Sequence, residues 1–322
     1  MLFTKDASDS ISTLGEIALI QQIRRWLGSV SPPAPAGIGD DCAVLDPLPK
    51  GHAILTTDSI SYGQHFDDRV SANHAGAKLI KRNLSDIAAM GGMPGAAVLA
   101  LLSGPDLSVR WLQNFFAGIR HACEHYALPL VGGDISTLLP GHFSAVLTLT
   151  GTALSPRLRS AAQLGDMLYV TGSLGGSMLG KHYSFKPRLA EGQWLSTRSD
   201  CHAMMDLSDG LGKDLQSLLP GDACAQLKLD QIPVANAAIK IAMDSGREVM
   251  EHVFCDGEDY ELLFSMDATI DPSGFKNAWR QRFPETPLSC IGSIQAGPST
   301  WPYLDAHTQK ALPWTHGFEH WK

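Results

Sequence analysis

Five short acidic segments beside apolar runs hold the residues of this chain best suited to chemistry. They are GIGDDCAVL with Asp40 and Asp41, ILTTDSI with Asp58, NLSDIAAMGG with Asp86, LVGGDIS with Asp134, and MMDLSDGL with Asp206 and Asp209. Carboxylates at strand ends beside Gly, Ser or Thr offer hard oxygen ligands, and Mg²⁺ is typically held by a few of these plus substrate phosphates. Taken singly, an Asp next to Gly or Ser marks a turn or a helix cap. Asp86 differs, because Ala75, Leu79, Asn83, Asp86 and Met90 advance in steps of four or three along one helix face. A carboxylate on an otherwise apolar stripe needs a partner, and a metal cluster, a buried Arg or a hydrogen bond each meets that need.

Phosphate binding has to come from something other than a Walker loop. There is no GxxxxGK[ST] segment and no strand followed by GxGxxG and a helix, which argues against P-loop and Rossmann enzymes. Gly132 and Gly133 before Asp134 would let backbone N–H groups approach a polyphosphate, and Arg157 and Arg159 in SPRLRS could neutralise its charge. Arg at such a position also forms ordinary surface ion pairs. No GxSxG elbow is present, and no His belongs to a Ser or Cys motif. His65 lies in a loop, SISYGQHF. If the acceptor is itself a phosphate, its oxygen is already ionised, and catalysis reduces to positioning and charge neutralisation.

The elements that must hold these residues alternate. A helix is expected over Leu14–Leu27, with Thr13 and Glu16 as a capping box and Gly28 as its stop. Further helices are expected over Asn73–Met90 and Ser108–Tyr126, with strands at Cys42–Leu45, Ala53–Thr57, Leu128–Val131 and Phe143–Ala153. A pause at Pro156–Gly165 precedes a second series that opens on MLYVTG and a Gly-rich turn, with strands at Met204–Leu207, Ala225–Leu229 and Tyr260–Ser265. The reading is an α+β protein of two domains, 1–155 and 156–322.

Bulk composition narrows the partners. A net charge of −8 argues against nucleic acid or an anionic membrane as a partner held by electrostatics. The six cysteines are scattered singly, with neither zinc spacing nor a disulfide framework. No apolar signal core and no run of about 18 apolar residues is seen, so a cytoplasmic location is expected.

Together GIGDDCAVL, TTD, HF, NLSDIAAMG, GGD, the SPRLRS arginine, MDLSDGL, GEDYELLF and the terminal HGFEHW resemble the thiamine-monophosphate kinases, collinearly from about Gly37 onward. The resemblance implies the two-domain α+β fold of the aminoimidazole ribonucleotide synthetase superfamily and homodimers built through the N-terminal domains. It implies ATP and Mg²⁺ as cofactor and metal, with thiamine monophosphate as acceptor. Asp41, Thr56, Thr57, Asp58, Asp86, Asp134 and Asp206 would ligate magnesium ions, and Asp209 one more. Asp58, Asp86, Asp134 and Asp206 would form the catalytic set. Gly133, Asp134, Arg159 and Ser208 would contact ATP, and His65, Glu258 and Phe318 the substrate. An aromatic ring suits a flat thiazolium cation.

One departure stands out: Asp256 replaces the family's glycine before Gly257-Glu258. The superfamily's selenophosphate synthetases would show a reactive Cys in an N-terminal Gly-rich loop, and hydrogenase-maturation relatives a C-terminal Cys. Neither feature is present. Another synthetase of the superfamily, or a noncatalytic nucleotide- or metal-binding protein, is the alternative.

Overall fold

The computed structural model describes residues 1–34, 36–38, 43, 45, 51–297 and 301–319. It falls into two compact units, residues 1–87 with 93–153 and residues 88–92 with 154–322.

The first unit carries strands β1 (His52–Ser61), β2 (Met93–Ser103), β3 (Leu130–Thr137) and β4 (Phe143–Ala153) in the order β1-β4-β2-β3, with helices α1 (Glu16–Leu27), α2 (Ala72–Ala89) and α3 (Val109–His125). Only β2 and β3 among these run parallel, and α3 lies between them in sequence. Ser108 caps α3 by accepting from the Trp111 N–H at 3.1 Å. On the sheet's inner side, Phe143 stands edge-on to Phe115 of α3 at 5.4 Å. Helices α2 and α3 cross at two glycines: a Cβ on Gly118 would lie 1.9 Å from the Asn73 carbonyl oxygen, and one on Gly76 would lie 2.0 Å from that of Phe115.

The second unit is a six-stranded sheet, β10-β7-β9-β5-β8-β6, formed by β5 (Met167–Thr171), β6 (Cys201–Asp206), β7 (Ala223–Leu227), β8 (Leu262–Met266), β9 (Leu288–Ala296) and β10 (Tyr303–Asp305). Its helices are α4 (Lys181–Ser184), α5 (Leu189–Ser196), α6 (Leu211–Asp214), α7 (Asn236–Ser245), α8 (Val249–Cys255) and α9 (Pro272–Arg282). Side chains alternate between two cores: Leu168, Val170 and Leu263 enter one, Tyr169, Leu262 and Phe264 the other. Both faces are therefore buried, as the near-continuous apolar runs require.

Several expectations needed correction. Helix α1 has no capping box: Gly15, at φ 72°, is its N-cap, and the Thr13 hydroxyl donates to the Ser10 carbonyl at 2.7 Å. Strand β3 extends to Thr137, which puts Gly132-Gly133-Asp134 inside a strand rather than in a loop. Strand β2 was not anticipated, because MPGAAVLALLS lacks both alternation and β-branched residues apart from Val98. Its pairing with strands on both sides supplies what local propensity does not. The expected strand at Cys42–Leu45 rests largely on residues outside the described ones.

Candidate active site

In the first unit, period-two alternation on β1 turns Thr56 and Asp58 toward α2. The Thr56 hydroxyl donates to Asp86 Oδ2, and Arg82 Nη2 lies 3.3 Å from Asp58 Oδ1. Arg82 and Asp86 are one helical turn apart on α2, so both reach β1 from the same face. Thr57 points the other way, where its hydroxyl donates to the Leu147 carbonyl and accepts from Thr148, each at 3.1 Å. The partly buried Asp86 thus has a partner of the kind its place on the stripe demanded.

Asp134 is held apart from this group. Its register partner on β2 is Ala100, and β3 is the third strand from β1, a separation of roughly 14 Å. Its carboxylate accepts from Ser136 Oγ at 2.9 Å. Beside it, Ile20 and Ile23 of α1, Phe116 of α3, and Leu99, Leu101 and Leu130 of the sheet line a largely apolar cleft of about 200 Å³ whose wall also includes Glu16, Gly133 and Asp134. Sequence reasoning did not find this cleft, since its walls are ordinary core residues and carry no motif.

His65 is 7% exposed; its Nδ1 accepts from the Ser61 N–H at 3.0 Å and its carbonyl accepts from Lys78 Nζ at 2.7 Å. Asp40 and Asp41 lie outside the described residues. Among the described residues, no three His, Cys, Asp or Glu side chains gather closely enough to hold a metal by themselves. Thr56 and Asp86 meet, and Asp58 stands two residues along the same face of β1; all three offer hard oxygens, the kind Mg²⁺ takes when phosphates complete its shell.

The second unit draws five of the singled-out residues together. Asp206 ends β6, 6% exposed, and the turn after it carries Ser208 and Asp209. Asp214 Oδ2 fastens that turn by accepting from both their N–H groups at 2.9 Å. The Ser208 carbonyl accepts from the Glu258 N–H at 2.7 Å, and the Asp209 carbonyl from the Phe318 N–H at 3.0 Å. Lys213 links the same pieces, 2.7 Å from Asp209 Oδ2 and 2.8 Å from the Phe318 carbonyl. Its spacing from Asp209, i to i+4, was the readable signal for this pair. Arg159 is exposed at the start of the unit, whereas the neighbouring Arg157 binds the Ser196 and Arg198 carbonyls at 2.7 and 2.9 Å.

The Glu258 loop is strained and braced. Glu258 and Tyr260 adopt φ of 56° and 51° around a buried Asp259, conformations that side-chain-bearing residues enter at a cost. Bracing comes from His182, 3.4 Å from Glu258 Oε2, and from the Tyr260 hydroxyl, 3.3 Å from Oε1. Phe185 stacks on Tyr260 at 3.9 Å. Below the loop, Arg188 grips Glu261 with two bonds of 2.7 and 2.8 Å, and Lys181 sits 3.0 Å away. Burial opposes ionisation of Glu261, but these cations outweigh it and hold the carboxyl below its usual value.

Asp256 explains itself here. It is the C-cap of α8 at φ −71°, so no left-handed glycine is needed, and Gly257 takes the positive φ of 74° instead. His252 Nδ1 meets Asp256 Oδ2 at 2.8 Å and Arg247 Nη2 meets Oδ1 at 3.2 Å. The other ring nitrogen of His252 meets Ser245 Oγ at 2.8 Å, an arrangement of serine, histidine and aspartate at the C-terminal end of α7. That hydroxyl also accepts the Arg247 N–H at 3.2 Å, which marks it as a helix-end tie. Asp256→Gly is expected to cost about 1 kcal/mol, a loss of roughly 2–4 °C in thermal midpoint, with turnover unchanged. Calorimetry alongside a rate assay checks this.

Two buried acids give the unit a pH dependence. Burial pushes the carboxyls of Asp214 and Asp259 up to about 7, even though Asp214 accepts two N–H bonds. An acid whose folded pKa is raised contributes stability that is full below its unfolded pKa and is lost as pH rises through the folded value. The thermal midpoint should therefore fall as pH rises from the ordinary value of 3.8 to about 7 and level off above it, and Asp214→Asn, which can still accept both bonds, should flatten that slope. A midpoint series across this range in both proteins checks it.

Comparison with known proteins gives the family and the fold. Residues 39–154 match the family of AIR synthase related proteins, N-terminal domain. A thiamine-monophosphate kinase of Rhodopirellula baltica is 38% identical over 242 residues, covering 72% of this chain and 76% of its own. The chain belongs to the thiamine-monophosphate kinase family. Solved structures of the family carry the same α+β fold. The thiamine-monophosphate kinase of Stenotrophomonas maltophilia superposes with a TM-score of 0.74 at 28% identity, over 93% of this chain and 98% of that one. A structure described as AaThiL complexed with AMPPCP and TMP superposes with a TM-score of 0.69 at 26% identity, over 94% and 96%. The expected α+β fold of this superfamily is thus the observed one.

Proposed function

We propose that the chain phosphorylates thiamine monophosphate to thiamine diphosphate by direct in-line transfer from ATP with Mg²⁺. The observation that carries this reading is the contact of Thr56 with Asp86, with Asp58 on the same face of β1, in the same unit as a largely apolar cleft lined in part by Gly133 and Asp134. A flat purine suits that cleft, and the small Gly132 and Gly133 let phosphates approach the backbone at its rim. Bound between carboxylates and phosphates, Mg²⁺ would neutralise the charge that builds on the transferred group.

The chain's own residues then do three things. Asp58 and Asp86 would hold the cations in place with Thr56 adding an oxygen, and Asp41 is assigned the same role, whereas Thr57 turns its hydroxyl to Leu147 and Thr148 on the other face of β1 and drops out of the expected set. In the second unit, Asp206 and Asp209 are the carboxylates assigned to cations, and Ser208 and Arg159 the residues assigned to the nucleotide. On the acceptor side, Glu258 faces the thiazolium charge, Phe318 offers its ring, and His65 is assigned to the same substrate. The acceptor phosphate is already an anion, so no side chain need remove a proton. The test is thiamine diphosphate formation from thiamine monophosphate and ATP, with and without Mg²⁺.

A homodimer is part of the proposal. The outward side of the first unit's sheet leaves Leu55 69%, Met93 52% and Val98 41% exposed, and an apolar sheet face needs cover. One ion cannot join Asp58 and Asp134 across roughly 14 Å, whereas a second copy would bring its own Asp134 to a sheet whose edges, β1 and β3, pair with no further strand among the described residues. Leu55→Asp with Val98→Asp should convert a dimer into a 34.6 kDa monomer. Light scattering reads the change, and a wild-type protein that is already a stable monomer overturns it. No helix among the described residues is long and apolar enough to cross a membrane, and we place the enzyme in the cytoplasm.

A further inference from the structure

The carboxylate proposed to hold a metal is already in contact with a cation of the protein's own. Arg82 Nη2 lies 3.3 Å from Asp58 Oδ1, and its Nη1 donates to the Ser59 carbonyl at 2.6 Å. The two side chains are 12% and 28% exposed, so the pair is only partly screened by water. One turn further along α2, Asp86 accepts from Thr56, the residue two before Asp58 on the same face of β1. A guanidinium cannot ligate a cation, since all its nitrogens are donors or carry positive charge. A divalent ion that binds Asp58 must therefore push Nη2 aside or share the carboxylate with it.

We propose that Arg82 is the resident counter-ion of Asp58, neutralising it in the metal-free protein and yielding it to the divalent ion. This rests on the reading of Asp58 as a metal ligand. The bond from Nη1 to Ser59 keeps the guanidinium beside the site when the Nη2 contact breaks. Once released, the same charge is placed to meet a phosphate oxygen, for which a planar fork of donors is well suited. Arg82 is thus a positioning residue with two partners in sequence, and the metal-free carboxylates are never left wholly unbalanced.

The test needs no turnover. Mn²⁺ binding, read from the loss of free-ion EPR signal without ATP, is compared in the full-length wild type, Arg82→Gln, Asp58→Asn and the double variant. Removing the competitor is expected to tighten Mn²⁺ binding about tenfold, the scale of a partly exposed ion pair, and the gain should vanish in the Asp58→Asn background. Thermal midpoints give a second reading: Arg82→Gln should lose stability without metal and recover most of it with Mn²⁺. A simple strap between α2 and β1 would cost the same in both conditions. Arg82→Lys, which keeps the charge, should shift affinity only a few-fold in the same direction, and it replaces the Gln variant if that one does not fold. Unchanged or weaker Mn²⁺ binding in Arg82→Gln overturns the counter-ion role while a loss in Asp58→Asn leaves the ligand reading standing. Undiminished binding in Asp58→Asn overturns both.

Discussion

Asp58→Asn and Asp86→Asn are each expected to lower turnover by about 10²-fold or more while the protein stays folded. ATP and thiamine monophosphate bring two polyanions together, and only cations held between them can offset that repulsion in a partly dehydrated site. Asparagine keeps the size of aspartate, and its carbonyl oxygen can still accept the Thr56 hydroxyl that now reaches Asp86. What it removes is the ligand's charge. If these carboxylates served only as structural partners for Arg82 and Thr56, the thermal midpoint would drop and turnover would survive. Both quantities measured on one preparation separate the cases, and near-wild-type turnover in either variant takes that residue out of the site.

Gly118→Ala should cause a loss of stability well beyond that of an ordinary substitution. The added methyl would sit 1.9 Å from the Asn73 carbonyl oxygen, and this obstacle is backbone with no rotamer to change. Helices α2 and α3 would have to move apart. Overpacking of this kind costs about 1–3 kcal/mol and sometimes more, and because the reciprocal contact at Gly76 is equally tight, the upper end of that range is expected. Since α2 carries Arg82 and Asp86, its displacement should also reduce turnover in whatever protein remains folded. Gln113→Ala, on the exposed side of α3, is the control, expected within about 0.5 kcal/mol of wild type. Equal thermal midpoints for Gly118→Ala and the control would mean the helices do not cross as closely as described.

Legibility followed how local each signal was. Helix α2 was readable from its stripe, and Ala75, Leu79 and Asn83 are indeed fully buried. Strand β4 was read with its ends in place, because Phe143 to Ala153 alternates cleanly. Strand β2 was lost because a central strand of Ala, Leu and Gly has no period of its own. The carboxylates could be picked out from their neighbours, yet their partners could not: Arg82 is 24 residues from Asp58, and the strand order that sets Asp134 apart is a property of the whole sheet. Asp214 was missed for a related reason, since five residues beyond Asp209 is no motif and only the turn it fastens gives it a role.

The measurement that bears most directly on the proposed activity is phosphorus NMR of the protein with thiamine monophosphate, ATP and Mg²⁺. The expected result is growth of the diphosphate resonances of thiamine diphosphate matched one to one by ADP, and none of it when the metal is chelated. Folded, magnesium-replete protein that leaves thiamine monophosphate unchanged, or that makes thiamine diphosphate equally well without divalent ions, would contradict it.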